Sequence, residues 1–159
     1  MILEVGPGTN RSYMFNPYVS NAVYLDVEPP TLEVKKYGTW VIGDAQHLPF
    51  RSNAFSKIIA HHVLEHLRDP DMFLREAYRV LKKEGILSLR VPNVLSRSAY
   101  LDPDHKHVFN FLSLYLKLKP MFTVLLPFNA GSMLGKLRKP LTFLINMLSD
   151  EIIIEGVKK

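Results

Sequence analysis

The stretch ILEVGPG, residues 2–8, decides how the rest of this chain is read. Four residues of strand-forming character run straight into Gly6-Pro7-Gly8, so a short buried strand ends in a turn with a bare backbone. Small residues after a first strand let a ligand approach the main chain closely. A dinucleotide-binding turn would carry a third glycine three residues after the second, and that position is Arg11. Glu4 adds a sign to the site. A carboxylate beside the turn repels a pyrophosphate but favours a ligand bearing an ammonium and a sulfonium.

Working outward, short apolar runs alternate with turn residues. AVYLDV (22–27) reads as a second strand with Asp26 at its end, TWVIGD (39–44) as a third ending at Asp44, FSKIIA (55–60) as a fourth and GILSLRV (85–91) as a fifth. A helix is expected from Asp69 to about Lys83, with Asp69 as N-cap, Pro70 in the first turn and Gly85 as the stop. Its buried stripe is Phe73, Ala77, Val80 and Leu81, leaving Arg75, Glu76, Arg79 and Lys82 to face water. The connection over 9–21 holds Asn10, Asn16, Pro17 and Asn21, so any helix there is short or broken. Further on, a helix is expected over 111–117, a strand over 122–127, a helix within 132–148 and a final strand over 150–159. This is an α/β chain: a Rossmann-like, doubly wound, mostly parallel sheet with an antiparallel final strand.

Composition narrows the function classes. With 159 residues, 47% of them hydrophobic, the chain reads as one domain over 1–159 with a substantial core. No apolar run approaches the ~18 residues that span a bilayer, and the start lacks a basic-then-apolar signal, so the chain is expected to be cytoplasmic. The absence of cysteine excludes disulfides and thiolate metal sites. From His105 to Ser149 there is no acidic residue, while six Lys or Arg lie among Leu, Phe and Met. That composition marks 100–149 as an acceptor-side or oligomer-contact region, suited to an apolar or anionic acceptor, to peripheral membrane or lipid contact, or to a homodimer surface. Nucleic acid is not expected, because the basic residues are not interleaved with aromatics in a recognisable module.

LEVGPG, the acid Asp26, GDAQHLPF (43–50) and FSKIIAHHVLEHLRDPDMFLREAYRVLKKEGILSLRVPN (55–93), in that order, resemble the class I S-adenosylmethionine-dependent methyltransferases, in their small-molecule, type 11-like branch. The resemblance implies S-adenosyl-L-methionine as cofactor and a small-molecule acceptor. It implies that Gly6 and Gly8 pass under the methionyl part and Glu4 helps hold its amino group. Asp26 would accept from the ribose hydroxyls, Asp44 would reach the adenine amino group with Ala45 and Gln46 beside the ring, and His61 would lie near the methyl donor. Two departures stand out: Asn10 replaces a third small residue, a position where Asn tolerates the left-handed conformation, and Ser56 replaces an acid. Family members also carry one or two helices ahead of the first strand that cover the cofactor, so a lid segment is expected to be missing from this chain.

Methyl transfer from a sulfonium is an in-line displacement that needs alignment and exclusion of water, with a base only where the acceptor must lose a proton. His66 and His105 are the candidate bases, since imidazole titrates near neutrality. Of the adjacent His61 and His62, at most one faces a ligand. No metal site is expected: His105 and His107 could ligate, but no acid–histidine cluster at helical spacing supports them. Two rival readings are a non-catalytic cofactor-binding or interaction subunit derived from a methyltransferase, and a nicotinamide-dependent oxidoreductase, against which Glu4 and Arg11 argue.

Overall fold

The computed structural model describes residues 1–8, 22–125 and 149–159 of the chain. The expected broken connection over 9–21, the helix within 132–148 and the end of the sixth strand at Pro127 lie outside these residues. Among the described residues seven strands appear where apolar and β-branched residues run between turns: β1 (Ile2–Val5), β2 (Ala22–Asp26), β3 (Thr39–Ile42), β4 (Phe55–His61), β5 (Leu81–Pro92), β6 (Phe122–Leu125) and β7 (Glu151–Lys158). They form one sheet in the order β3-β2-β1-β4-β5-β7-β6. The first five strands pair in parallel, and β7 runs antiparallel to both β5 and β6. The doubly wound topology with an antiparallel final strand is as expected from the sequence. No helix among the described residues is long and apolar enough to cross a membrane.

Among the described residues the helices are α1 (Leu32–Lys35), α2 (Pro70–Val80), α3 (Ser98–Leu101) and α4 (Phe111–Leu118). Asp69 caps α2 through its Oδ1, which accepts from the Met72 amide at 3.0 Å. Asn110 and Ser113 close a reciprocal capping box on α4. The helix expected to reach Lys83 stops at Val80. The amides of Asn53 and Ala54 donate to the carbonyls of Arg79 and Val80 at 3.1 and 2.8 Å, and Leu81 is already extended. Those last-turn carbonyls are satisfied by a neighbouring loop rather than by another turn of helix. Gly85 therefore serves a tight approach and not a helix stop: a Cβ there would lie 2.8 Å from the Lys82 carbonyl oxygen.

Strand alternation divides the sheet into two unlike faces. Leu3, Val5, Leu25, Ile58, Ala60, Leu87, Leu89 and Val91 point to one side, where Phe73, Leu74, Ala77 and Val80 of α2 and Phe111, Leu114 and Leu118 of α4 complete a continuous buried core. Each buried Val, Leu, Ile or Phe among them contributes roughly 1.5–3 kcal/mol on burial. Glu4, Tyr24 and Ile59 are register neighbours on the other side. Lys57 on that side approaches Glu155 at 3.4 Å.

Candidate functional site

β1 is flanked by β2 and β4, so chain connections leave it in opposite directions and a crevice opens beyond the carboxyl ends of these strands. Val5 is in register with Leu25 and Ala60, which brings Gly6, Asp26 and the end of β4 to the same level. Gly6 (φ 61°) and Gly8 (φ 80°) both adopt the left-handed conformation. A Cβ on Gly6 would also stand 2.7 Å from Val63 Cγ2, so backbone shape and close packing both demand glycine there.

Two carboxylates sit beside this turn. Asp26 Oδ2 accepts from the Gly8 amide and Oδ1 from the Glu28 amide, both at 3.2 Å. Asp44 Oδ1 accepts from the Gln46 amide at 2.8 Å, opening the single 3₁₀ turn Ala45–His47. Burial alone would raise the Asp44 pKa, but hydrogen bonds from the Gln46 amide and side chain, with His47 nearby, hold it below the usual carboxylate value. Gln46 Oε1 in turn accepts from the Asp69 amide at 2.8 Å, tying the turn to the cap of α2.

The polar side of α2 has a job the sequence did not suggest. Glu76 and Arg79, expected to face water, are partly buried and reach the loop after the 3₁₀ turn. Glu76 Oε2 accepts from the Leu48 amide at 2.9 Å, and Arg79 donates to the carbonyls of Leu48 (2.9 Å) and Phe50 (2.7 Å). A Glu76–Arg79 ion pair at 2.7 Å holds the two together. The loop that presents Asp44, Ala45 and Gln46 is thus pinned from below by α2.

A cavity of about 670 Å³ occupies the crevice, within the usual range for small-molecule sites. Gly6, Gly8, Asp26, Asp44, Ala45, Gln46 and His66 all line it. Glu4, His61 and His105 are not among its lining residues. His62 is, and so are Arg68 and Lys106. His61 still follows the strand alternation of Lys57 and Ile59, whereas His62 turns off the strand with φ 55° and faces the crevice. Alternation carried one residue past the strand end was the available signal. Asp26 and Asp44, with His47 beside Asp44, therefore line the β2–β3 side of the cavity, and His62, His66, Arg68 and Lys106 line the side after β4.

Electrostatics vary sharply around the crevice. Glu4 is 3% exposed, its Oε2 has no hydrogen-bond partner among the described residues, and burial pushes its pKa up to about 7. Burial pushes His61 down to about 4, with Arg90, His62 and Lys57 adding to the effect. His62 goes the other way. The Glu65 carboxylate beside it, 3.3 Å from Nδ1, and Glu151, 3.0 Å from Nε2, hold its pKa above the ordinary imidazole value despite burial.

A second group of polar residues borders the cavity. The 3₁₀ turn Leu64–His66 carries Glu65 and His66, and the loop before α4 is hydrogen-bonded onto it: the amides of Lys106 and His107 donate to the Glu65 carbonyl at 2.7 and 3.1 Å. Lys106 Nζ donates to the His66 carbonyl at 2.6 Å. These bonds set the His105 ring edge-on against His66, with ring centres 4.8 Å apart. Glu65, His66 and His105 offer ligand atoms within 4.8 Å of one another. Glu65 and His105 are distant in sequence, and no helical spacing announces the group.

Residues 3–89 match the family described as "Methyltransferase domain". The chain belongs to this methyltransferase family. Among its relatives, 2-methoxy-6-polyprenyl-1,4-benzoquinol methylase of Dictyostelium discoideum is 38% identical over 84 residues, covering 50% of this chain and 25% of that protein. Demethylmenaquinone methyltransferase of Thermotoga maritima is 30% identical over 145 residues, covering 85% of this chain and 56% of that one. The chain thus spans between a quarter and just over half the length of these relatives. The fold matches the YcgJ protein of Bacillus subtilis with a TM-score of 0.70 at 20% identity, over 99% of this chain and 91% of that one.

Members of this family take S-adenosylmethionine as methyl donor. The methyltransferase crevice has the donor set for such a molecule: two carboxylates to accept from hydroxyl and amino groups, a bare glycine turn, and apolar walls from Leu25, Val27, Val63 and Leu67. Glu4, next to the cavity-lining Val5, keeps a buried oxygen without a partner among the described residues, and only a cationic or hydrogen-donating neighbour offsets its desolvation.

Proposed function

We propose that this chain binds S-adenosylmethionine in the crevice and transfers its methyl group to a small, largely apolar acceptor of the quinol class. The observation that carries this reading is the convergence of Gly6, Gly8, Asp26 and Asp44 on one cavity at the point where the sheet changes winding direction. The acceptor class rests on the printed activities of the two relatives, both of which act on quinone-related rings.

The donor supplies an electrophilic methyl on a positively charged sulfur. In this reading Asp26 accepts from its sugar hydroxyls, Asp44 from its base, and Glu4 holds its ammonium. Gln46 and Ala45 flank the base, and the Gly6–Gly8 turn lies under the amino-acid portion. His61 lies on the Glu4 side of β4, outside the cavity lining, and burial keeps its ring neutral there. The acceptor enters from the side lined by His62, His66, Arg68 and Lys106, where positive charge favours an ionised oxygen. Where the acceptor must lose a proton, the His66–His105 pair assists, and of the two His66 lines the cavity.

Calorimetric titration with S-adenosylmethionine and S-adenosylhomocysteine tests the first step, with NAD as the control ligand. Saturable binding of both, and none of NAD, is expected. S-adenosylhomocysteine formation with a demethylated quinol tests the second. Donor binding without turnover of any quinol would replace the enzyme reading with that of a cofactor-binding subunit, and absence of donor binding would overturn both.

A further inference from the structure

We propose that Glu65, His66 and His105 form a binding site for a divalent transition-metal ion of the zinc class, set in the wall of the cavity where it would hold an acceptor oxygen. Two imidazole nitrogens and one carboxylate oxygen form a borderline donor set that suits zinc and its neighbours better than calcium or magnesium. Their ligand atoms already lie within 4.8 Å of one another. Bonds of about 2.0–2.2 Å to a common ion would draw them to roughly 3.3 Å apart, a movement within side-chain rotation.

Three further observations point to an ion here. Glu65 is 1% exposed, and its Oε2 has no hydrogen-bond partner among the described residues. Oε1 already has His62 Nδ1 at 3.3 Å as an ion-pair partner, so the unmet oxygen is Oε2. A carboxylate withdrawn from water with one oxygen unpaired is costly unless a cation meets it.

His105 is oriented as a ligating histidine should be. Its Nδ1 stands 3.1 Å from the Ala99 carbonyl, and a proton donated there leaves Nε2 with its lone pair. Asp102 Oδ2 lies 3.8 Å from that Nε2 and provides a further anion at the edge of the site. Finally, the backbone bonds from Lys106 and His107 to the Glu65 carbonyl fix the two halves of the ligand set against each other. Three protein ligands would leave a coordination position open, and of the three His66 lines the cavity.

The proposed role deepens the methyl-transfer reading and rests on it, whereas ion binding does not. An ion held by Glu65, His66 and His105 would lower the pH at which an acceptor phenol or hydroxyl beside it gives its proton to solvent. His66 and His105 would then act as ligands, so a free imidazole base is not required.

The test uses the chelator-treated full chain titrated with Co²⁺ followed by visible absorption, and with Zn²⁺ in competition. One equivalent of ion is expected, with the absorption of a low-coordinate nitrogen–oxygen site. Glu65→Gln, His66→Ala and His105→Ala should each weaken binding at least about tenfold, while His107→Ala should not. Glu65→Gln, nearly equal in shape, keeps the test valid if a histidine variant fails to fold by circular dichroism. No stoichiometric binding, or binding unchanged in Glu65→Gln and His105→Ala, overturns the site. S-adenosylhomocysteine titration of the ion-free chain separates the two readings: donor binding without ion binding refutes only the metal site, and ion binding without donor binding refutes only the methyl-transfer reading.

Discussion

The two faces of the sheet solve different problems. On the α2–α4 side, Leu3, Val5, Ile58, Leu87 and Leu89 meet Phe73, Leu74 and Phe111 in an apolar core of buried residues. On the other side, within one register of each other, Glu4 and Tyr24 are both buried, and Glu4 Oε2 and the Tyr24 hydroxyl lack hydrogen-bond partners among the described residues. A chain optimised only for stability would not bury these polar atoms beside a glycine turn. The first face anchors the strand ends, and the second carries polar groups whose cost a bound ligand can offset.

The sharpest contrast comes from truncating each face. Phe73→Ala on the packed side, where the ring is fully buried, should lower unfolding free energy in denaturant by about 3–5 kcal/mol. A loss under about 1 kcal/mol would show that this side is not the anchor.

Next in size is a pH effect on the polar side. The Glu4 pKa is raised from 4.5 to about 7, so the folded state holds a proton that the unfolded state has released. Stability from this group is fully present below pH 4.5 and is lost as pH rises through 7, an effect on the order of 3 kcal/mol. His61, lowered from 6.5 to about 4, has the opposite sign: its contribution is present above pH 6.5 and lost as pH falls through 4. Thermal melts of Glu4→Gln against the parent should lose the first slope and keep the second. If Glu4 holds an ammonium, donor affinity in calorimetry should also rise through pH 7 in the parent and stay flat in Glu4→Gln.

Smaller effects refine the picture. Asp26→Asn should weaken S-adenosylhomocysteine binding roughly ten- to hundredfold, the worth of hydrogen bonds to a charged acceptor, and should also lower the melting temperature, since Asn can accept only one of the amides of Gly8 and Glu28. Tyr24→Phe should be smallest of all, neutral or stabilising by less than about 1 kcal/mol, since it removes a hydroxyl without a visible partner. A clear loss of stability in Tyr24→Phe would mean that the hydroxyl is bonded and the two faces are less unlike than they look.

Much of this architecture was legible because it is local. Apolar runs ending in Gly6, Asp26 and Asp44 mark strands and their carboxyl ends, and Asp69-Pro70 marks the start of α2. What escaped depends on contacts between distant segments. The end of α2 is set by amides from Asn53 and Ala54, not by its own sequence. Glu76 and Arg79 read as solvent-facing on a helical wheel, but a loop crosses over them. The short helices at Leu32–Lys35 and Ser98–Leu101 are too brief to leave a period. His62 was obscured by its neighbour at a strand end, and Glu65 meets His105 only because backbone bonds fasten one loop onto another.

Gln46 joins two readouts that are usually independent. Its side-chain oxygen accepts from the Asp69 amide while its own amide donates to Asp44, and Asp69 in turn caps α2 at Met72. A ligand that steadies Asp44 therefore steadies the first turn of α2, and by linkage a firmer helix start favours the ligand. The amide of Met72 becomes a gauge of occupancy: its rate of hydrogen exchange should slow when the crevice fills, although nothing in the crevice touches it.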